Sequence, residues 1–564
     1  MLIRRYMISR GLNYLRRNGL KSFFFKVMEK LEQSKKLKYD YYQDNPCTSA
    51  ILERQRKHQF KYEPLISIVV PVYNTNENFL IEMINSVLNQ TYSNFELCIF
   101  NGGSNNPKLD SLIRGYADKD KRIVYKCSNL NEGISNNTNS AIALAKGKYI
   151  GLLDHDDLLS PNALYECVKV INKFDPDIIY SDEDKISEDS SLHLEPHKKP
   201  DWSPDTLLSY NYICHFLVFK SSLLNETGLF KSEFDGSQDY EFILRLTSVS
   251  KKIYHIPKVL YHWRINSSST ASNIYFKKHA LEAGKKSLEE FLYERKIVAT
   301  VSESDFIGSY KISYQADMDE YVTLIIVGAW RKKEEILKKY NLIKTNTEWT
   351  NVKFIFLNKA DSNNQYNLDS NCMVFGVNEQ KYSSYINEAI RNSSTELIFI
   401  MDSEIQLTRR DWCYKMVGES LHDHIAIVAP KILKNKIAIS NFGLIVTNSE
   451  IKNISENVNK NYFGYIGRNK ISQNVTAVSP QFLLIKKSIL NVTGFLDEVY
   501  ESPIAIIDLC IKVNMHKKYV KIIPDELVIA NENNLSHYQD LLYFRQKHMS
   551  YLKDNDKFYP NKLF

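Results

Sequence analysis

Two kinds of apolar pattern alternate along the chain. Short unbroken runs, Leu65–Pro71, Phe95–Phe100, Ile123–Lys126, Tyr149–Leu153, Asp177–Ser181 and His215–Phe219, lack helical period and read as buried strands. Between them lie stretches with helical spacing. Glu77–Asn89 places Phe79, Leu80, Ile84, Val87 and Leu88 on one face, and Leu109–Tyr116, Asn136–Ala145 and 162–174 behave likewise. Gly236-Ser-Gln-Asp-Tyr-Glu241 opens a further amphipathic helix, Ile253–Pro257 and Tyr261-His-Trp-Arg264 follow, and a charged helix over 277–296 closes the region. Strand–helix alternation predicts an α/β fold with a mostly parallel, Rossmann-like sheet.

The pattern then repeats more weakly. Val322–Val327 matches the first strand, and Asn387–Glu404 parallels Asn139–Asp156. Phe482–Phe495 parallels Phe216–Leu229, and Asp508–Lys512 parallels Asp239–Ile243. Motifs recurring in one order predict tandem domains of one fold. The expected organisation is a basic helical segment over 1–62, a first domain over 63–300, a linker over 301–320, a divergent copy over 321–535 and a helical tail over 536–564.

The chain is organised around Lys148–Pro161, where the buried run Tyr149–Leu153 ends in Asp154-His-Asp-Asp157. Three carboxylates at a strand end repel one another, and a hard divalent cation, Mg²⁺ or Mn²⁺, cancels the repulsion. In open α/β sheets this edge is where ligands bind. The alternative is that these acids cap the following helix, with Ser160 as N-cap and Pro161 in its first turn.

Length and charge narrow the picture. The 564 residues exceed one core. No run approaches the ~18 apolar residues of a membrane span, and a signal peptide is not expected. The eight cysteines show neither C-x-x-C nor metal spacing, as for thiols in a reducing compartment. Residues 1–38 carry +9 of a net charge of +7, leaving the rest at about −2, which argues against a nucleic-acid surface. Leu12, Leu15, Leu20, Phe23, Phe24 and Val27 form a rough stripe in that arm, suited either to an anionic membrane face or to packing on its own protein. A cytoplasmic protein, peripheral to the inner membrane face in the first case, is expected.

Val70-Pro-Val-Tyr-Asn74, Leu153–Asp157, Tyr180-Ser-Asp-Glu-Asp-Lys185, Gly236–Glu241 and Tyr261–Arg264, in this order, resemble inverting family-2 glycosyltransferases of the GT-A fold. More closely, they resemble two-module bacterial enzymes of surface-polysaccharide assembly such as O-antigen or capsule. The resemblance implies a nucleoside-diphosphate sugar as donor and a glycan or lipid-linked glycan as acceptor. It implies a metal at Asp154 and Asp156, with His262 as a further ligand, and Asp239 as the base. Pro71, Tyr73, Asn74, Glu77, Asn101, Gly133, Asn139 and Asp154 fall where the family grips the nucleotide. One departure concerns the base: Asn101-Gly102 stands where the family has paired Asp, so UDP is not assumed over dTDP or GDP. The second copy keeps Asp402, Glu404 and Asp508 but has Gly328-Ala-Trp330 for Pro-Val-Tyr and Ile529-Ala-Asn-Glu532 for the His-Trp-Arg stretch. It is either a second active site or a decayed or specialised one.

Two other classes remain. A nucleotidyltransferase shares the sheet and the acids, but Val70–Asn76 lacks the Gly and Lys of a phosphate loop. A glycan-binding scaffold predicts loss of the acids, which the first copy retains.

Overall fold

The computed structural model describes residue 27 and residues 39–265, 274–361, 364–377, 380–530 and 537–559. Most of the basic arm, and Asn531 and Glu532, therefore lie outside the described residues. The chain divides into two compact units. One takes Lys38–Trp202 and Tyr210–Ile297; the other takes Val298 onward together with Ser203–Ser209. No described helix is long and apolar enough to cross a membrane.

The first unit holds nine strands: β1 (Ile66–Val72), β2 (Phe95–Gly102), β3 (Ile123–Ser128), β4 (Tyr149–Leu152), β5 (Leu158–Leu159), β6 (Ile178–Ile186), β7 (His193–His197), β8 (Leu217–Lys220) and β9 (Ile253–Arg264). Their order is β3-β2-β1-β4-β8-β6-β9-β5, with β7 on β6. β1 to β4 run parallel, β8 is antiparallel to β4 and β6, and β6 and β9 are parallel. All seven residues of β1 are buried, which is why its run does not alternate. The helix Glu77–Leu88 starts where the Asn76 side chain accepts the Asn78 N–H, and it buries Leu80, Met83, Ile84 and Val87. The helix Pro107–Lys119 has Pro in its first turn and Asn106 as cap. Because β1 to β4 are parallel, the loops after them open at one edge of the sheet.

Three expectations need correction. The strand predicted to stop at Ser181 continues through Asp182-Glu183-Asp184 to Ile186, with all three acids buried. It can do so because bases compensate each acid. The helix after the acidic loop begins at Ala163, not at Pro161. Ser160 remains in the sheet, its N–H donating to the Leu260 carbonyl, while its hydroxyl meets Val259 O and His262 instead of capping. Residues read as a linker carry strand Tyr310–Tyr314, paired antiparallel with Ala299–Glu303.

The second unit repeats the first. Val352–Asn358, Val322–Gly328, Leu397–Asp402, Phe482–Lys486, Ile425–Lys434, Tyr519–Ile529 and Gln406–Leu407 follow one another across its sheet, the counterpart of β2-β1-β4-β8-β6-β9-β5. Asp205 ties Ser203–Ser209 into this unit. It is buried, pairs with Lys521 Nζ at 2.9 Å and accepts from Asn474 Nδ2 at 2.7 Å.

Candidate active site

Residues around the β1–β4 edge hold one another by amide contacts. Asn74, at φ 47°, donates its N–H to Ser104 Oγ (3.0 Å) and accepts the Asn105 N–H on its side chain (2.8 Å). Glu77 accepts from Asn106 Nδ2 (3.0 Å). Asn101 is buried, accepting the Ser104 N–H (3.1 Å) and donating to Tyr125 OH (3.4 Å). The loops after β1 and β2 are thus tied together, with Tyr73 beside them, 39 % exposed. Gly133 sits at φ 90°, where a Cβ would come within 3.0 Å of Asp235 Oδ2. Asn139 gives both ends of its amide to Phe230, N–H and carbonyl each at 2.9 Å. The second unit repeats that clamp between Asn387 and Leu496. Asn139 therefore braces the fold, and its amide is already committed.

β4 delivers Asp154 and Asp156 to this edge. The Asp154 side chain is 53 % exposed, with His215 Nε2 at 3.7 Å, and the Asp156 side chain has His155 Nδ1 at 3.7 Å. Burial raises the Asp156 carboxyl; His155 pulls it down and Asp154 pushes it up. Asp157 turns inward and works structurally: it accepts from Tyr261 OH (2.6 Å) and from the Arg264 N–H (2.8 Å). Arg264, the end of the Tyr-His-Trp-Arg stretch, donates Nε to the Asp156 carbonyl at 2.7 Å, fixing the loop's backbone, and its charge lowers the Asp156 carboxyl.

Asp239 is the second residue of the helix Gln238–Val249 and is partly enclosed. Burial first, and then the Asp154 charge, raise its carboxyl to about 6, with His215 opposing both. A carboxylate poised there takes a proton near neutral pH.

The structure parts His262 from the acidic pair among their described contacts. Its Nδ1 meets Asp184 Oδ1 at 2.6 Å and its Nε2 meets Ser160 Oγ at 2.9 Å. With Asp184 and His193 it forms a separate cluster whose ligand atoms lie within 4.8 Å of one another. The imidazole that does reach the site is His215, which sequence reading passed over as part of an apolar strand. His215 stacks on Tyr261 (centroids 4.5 Å apart), and its Nδ1 lies 3.5 Å from Glu183. Burial works against its charged form, but Cys214 and Glu183 beside it raise it well above the usual imidazole range. Lys199 Nζ braces the turn, meeting Glu183 (3.1 Å), the Ile213 carbonyl (2.7 Å) and the His215 carbonyl.

In the second unit the corresponding places are filled. Trp330, 9 % exposed, stands where the strand register puts Asn74 of the first unit, one place beyond the Tyr73 that the sequence set against it. A Cβ on Gly328 would lie 2.5 Å from its ring, so only glycine lets the indole close over the strand end. Asn358 takes the Trp330 N–H and returns its own amide to the Trp330 carbonyl, both at 2.9 Å. Asp402 accepts the Glu404 N–H (2.8 Å), and Glu404 is exposed. Asp508, fully buried, is the fifth residue of Ile504–Met515, deeper than Asp239 in its helix. It binds His548 Nε2 (2.7 Å), Lys547 Nζ (2.8 Å) and Tyr500 OH (3.0 Å). Burial alone would raise it, but His548 and Lys547 bring it down to about 2.

Comparison with known proteins now decides the family. The profile described as Glycosyl transferase family 2 matches residues 67–229, β1 through the segment after β8. A protein of Methanocaldococcus jannaschii named uncharacterized glycosyltransferase MJ1057 is 33 % identical over 208 residues, 36 % of this chain and 71 % of that protein. The chain belongs to family 2 of the glycosyltransferases. Two longer relatives of this family-2 chain span both its units. Uncharacterized protein y4gI of Sinorhizobium fredii is 34 % identical over 470 residues, 80 % of this chain and 51 % of that one. O-antigen biosynthesis protein RfbC of Myxococcus xanthus is 25 % identical over 474 residues, 80 % of this chain and 36 % of that one. The chain thus spans about half the length of the first relative and about a third of the second.

Proposed function

We propose that the first unit transfers a sugar, with inversion, from a nucleoside-diphosphate sugar to a hydroxyl of a growing surface glycan. The observation that carries this reading is Asp239, a carboxyl at about 6 that feels Asp154 at the ligand-binding edge of the sheet. Asp239 takes the acceptor hydroxyl's proton as that oxygen attacks the anomeric carbon, and the nucleoside diphosphate departs from the opposite face. The loops after β1 and β2, with Tyr73, Asn74, Glu77 and Asn101, receive the nucleotide, and Asn101 stands where the family has a carboxylate. Asp154 and Asp156 suit a hard divalent cation: two carboxylates two residues apart at the end of β4, Asp154 half exposed. Such an ion, Mg²⁺ or Mn²⁺, would supply positive charge to the leaving diphosphate. A surface polysaccharide as acceptor agrees with the name of the Myxococcus relative. The basic arm over 1–38 is proposed to rest on an anionic membrane face.

For the second unit we favour a silent site over a second transferase. Its base counterpart is held as a carboxylate by Lys547 and His548, and Trp330 fills its nucleotide edge. The test is product mass spectrometry with Asp239→Asn and Asp508→Asn separately. The reading predicts that the first lowers transfer by ~10²–10⁴-fold and the second leaves the product unchanged. A product one sugar short with Asp508→Asn refutes the silent second site.

A further inference from the structure

One charge in the second unit has no counterpart. Arg468 lies in the turn Tyr465–Lys470 and is 1 % exposed. Its Nε, Nη1 and Nη2 are all buried and find no hydrogen-bond acceptor, and no described carboxylate pairs with it. A guanidinium cannot shed its proton, and a buried charge without an opposite charge is strongly disfavoured. What covers Arg468 is the face of Tyr559, 5.0 Å away, a neutral ring that attracts a cation but accepts none of its N–H groups in line.

The surroundings are built rather than incidental. Gln473 Nε2 donates to the Arg468 carbonyl at 2.9 Å, fixing the turn. The turn itself needs Gly464 and Gly467 at φ 70° and 75°. Tyr559 is held by Asp556, whose carboxylate accepts the N–H groups of Phe558 (2.8 Å), Tyr559 (3.0 Å) and Val446 (2.9 Å). Burial raises Asp556 to about 6, and its oxygens are spent on backbone, so it is not the missing counter-ion. Two further side-chain atoms are unsatisfied, one in the turn and one in the strand after it: Asn469 Nδ2, a donor, and Gln473 Oε1, an acceptor.

We propose that Arg468 anchors an oxyanion, a phosphate or carboxylate group, in the second unit beneath Tyr559. A planar fork of donors receives either anion in bidentate fashion. The group belongs to a phosphorylated ligand, such as a diphosphate-linked glycan, or to an acidic sugar of the glycan itself. This inference stands independently of the transfer chemistry assigned to the first unit.

The experiment is thermal unfolding of the full chain in chloride buffer of constant ionic strength, with added inorganic phosphate, pyrophosphate or glucuronate. At a ligand concentration one hundredfold above its Kd, the wild-type transition of the second unit rises by about 5 °C. Arg468→Met shows no such rise, and without added anion it unfolds no earlier than the wild type, because an uncompensated charge has been removed. A larger response to pyrophosphate identifies a phosphorylated ligand; a larger response to glucuronate identifies an acidic sugar. Absence of any response in the wild type overturns the proposal, as does a response that survives in Arg468→Met. Should Arg468→Met fail to fold, Arg468→Lys decides: it keeps the charge but loses the fork, so its anion affinity, read by calorimetry, falls at least tenfold. Unchanged affinity in that variant also overturns the proposal.

Discussion

Replacing Asp239 by Asn separates a catalytic carboxyl from a structural one, because the two roles predict opposite changes in stability. The carboxyl stands at about 6 in the fold against 3.8 unperturbed, chiefly through burial and then through Asp154. A raised carboxyl binds its proton more tightly when folded, so stability is lost as pH rises from about 4 to about 6 and stays lost above. At pH 7 the cost is on the order of 3 kcal/mol, at 1.36 kcal/mol for each pH unit. Asn carries no charge and removes that cost, so Asp239→Asn raises the first unit's unfolding temperature by several degrees at pH 7.5 and by little at pH 4. Loss of the base lowers transfer by ~10²–10⁴-fold. In the wild type, kcat/KM falls tenfold per pH unit below an inflection at or under about pH 6. The assay pairs calorimetry at both pH values with nucleoside-diphosphate release and its pH profile. A variant that is less stable and retains activity within tenfold would make Asp239 a helix-terminal charge complementing the dipole, and the assignment would be withdrawn.

Asp156→Ala abolishes transfer with the unfolding temperature within a few degrees of wild type; full activity in this variant or in excess chelator contradicts a metal at this edge. Asp508 behaves oppositely to Asp239: held near 2 by His548 and Lys547, it stabilises the second unit above pH 4. That contribution, on the order of 2 kcal/mol, is lost as pH falls from about 4 to 2, and Asp508→Asn removes the acid limb of the unfolding profile while leaving transfer intact. Asn139→Ala and Asn387→Ala each leave two backbone groups without partners and cost ~1–3 kcal/mol in their respective units, read by denaturant midpoints; a loss confined to nucleotide affinity would restore Asn139 as a ligand. Deleting residues 1–38 releases the protein from anionic liposomes and spares activity on a soluble acceptor; binding unaltered by deletion and by salt refutes the membrane role.

The sheet was legible because strands covered on both faces give unbroken apolar runs, and the acidic edge because three carboxylates cannot follow such a run without purpose. The repeat was legible for the same reason, and its strand order is the same in both units. What escaped was the buried polar interior. Asp182-Glu183-Asp184 looked like the end of a strand, since three charges inside a sheet are costly. They are tolerated because His193, His197, His215, His255 and His262 approach them, five of the chain's thirteen histidines. Those partners are distant in sequence, and no local pattern ties them to the acids. The available signal was the number of histidines between residues 193 and 262, in excess of what packing alone requires. That His262 turns to Asp184 and Ser160, and that His215 was passed over, have one cause: the side chain that reaches Asp154 follows from which strand lies next to β4, and that is a fact of topology.

The comparison of the two units shows which residues the fold needs and which the chemistry needs. The amide clamp is present twice, as Asn139 on Phe230 and as Asn387 on Leu496, because each sheet needs its helix fixed to the same neighbouring turn. The base position is present twice only in name. At Asp239 burial and Asp154 hold the carboxyl at about 6, as the proposed base requires; at Asp508 the His548 hydrogen bond and Lys547 bring it down to about 2, too low for that task. The same split appears at the edge after the first strand, where Asn74 in one unit answers to an indole packed over a glycine in the other. A sequence motif records the carboxyl in both units, but only its surroundings say whether that carboxyl takes protons or holds the protein together.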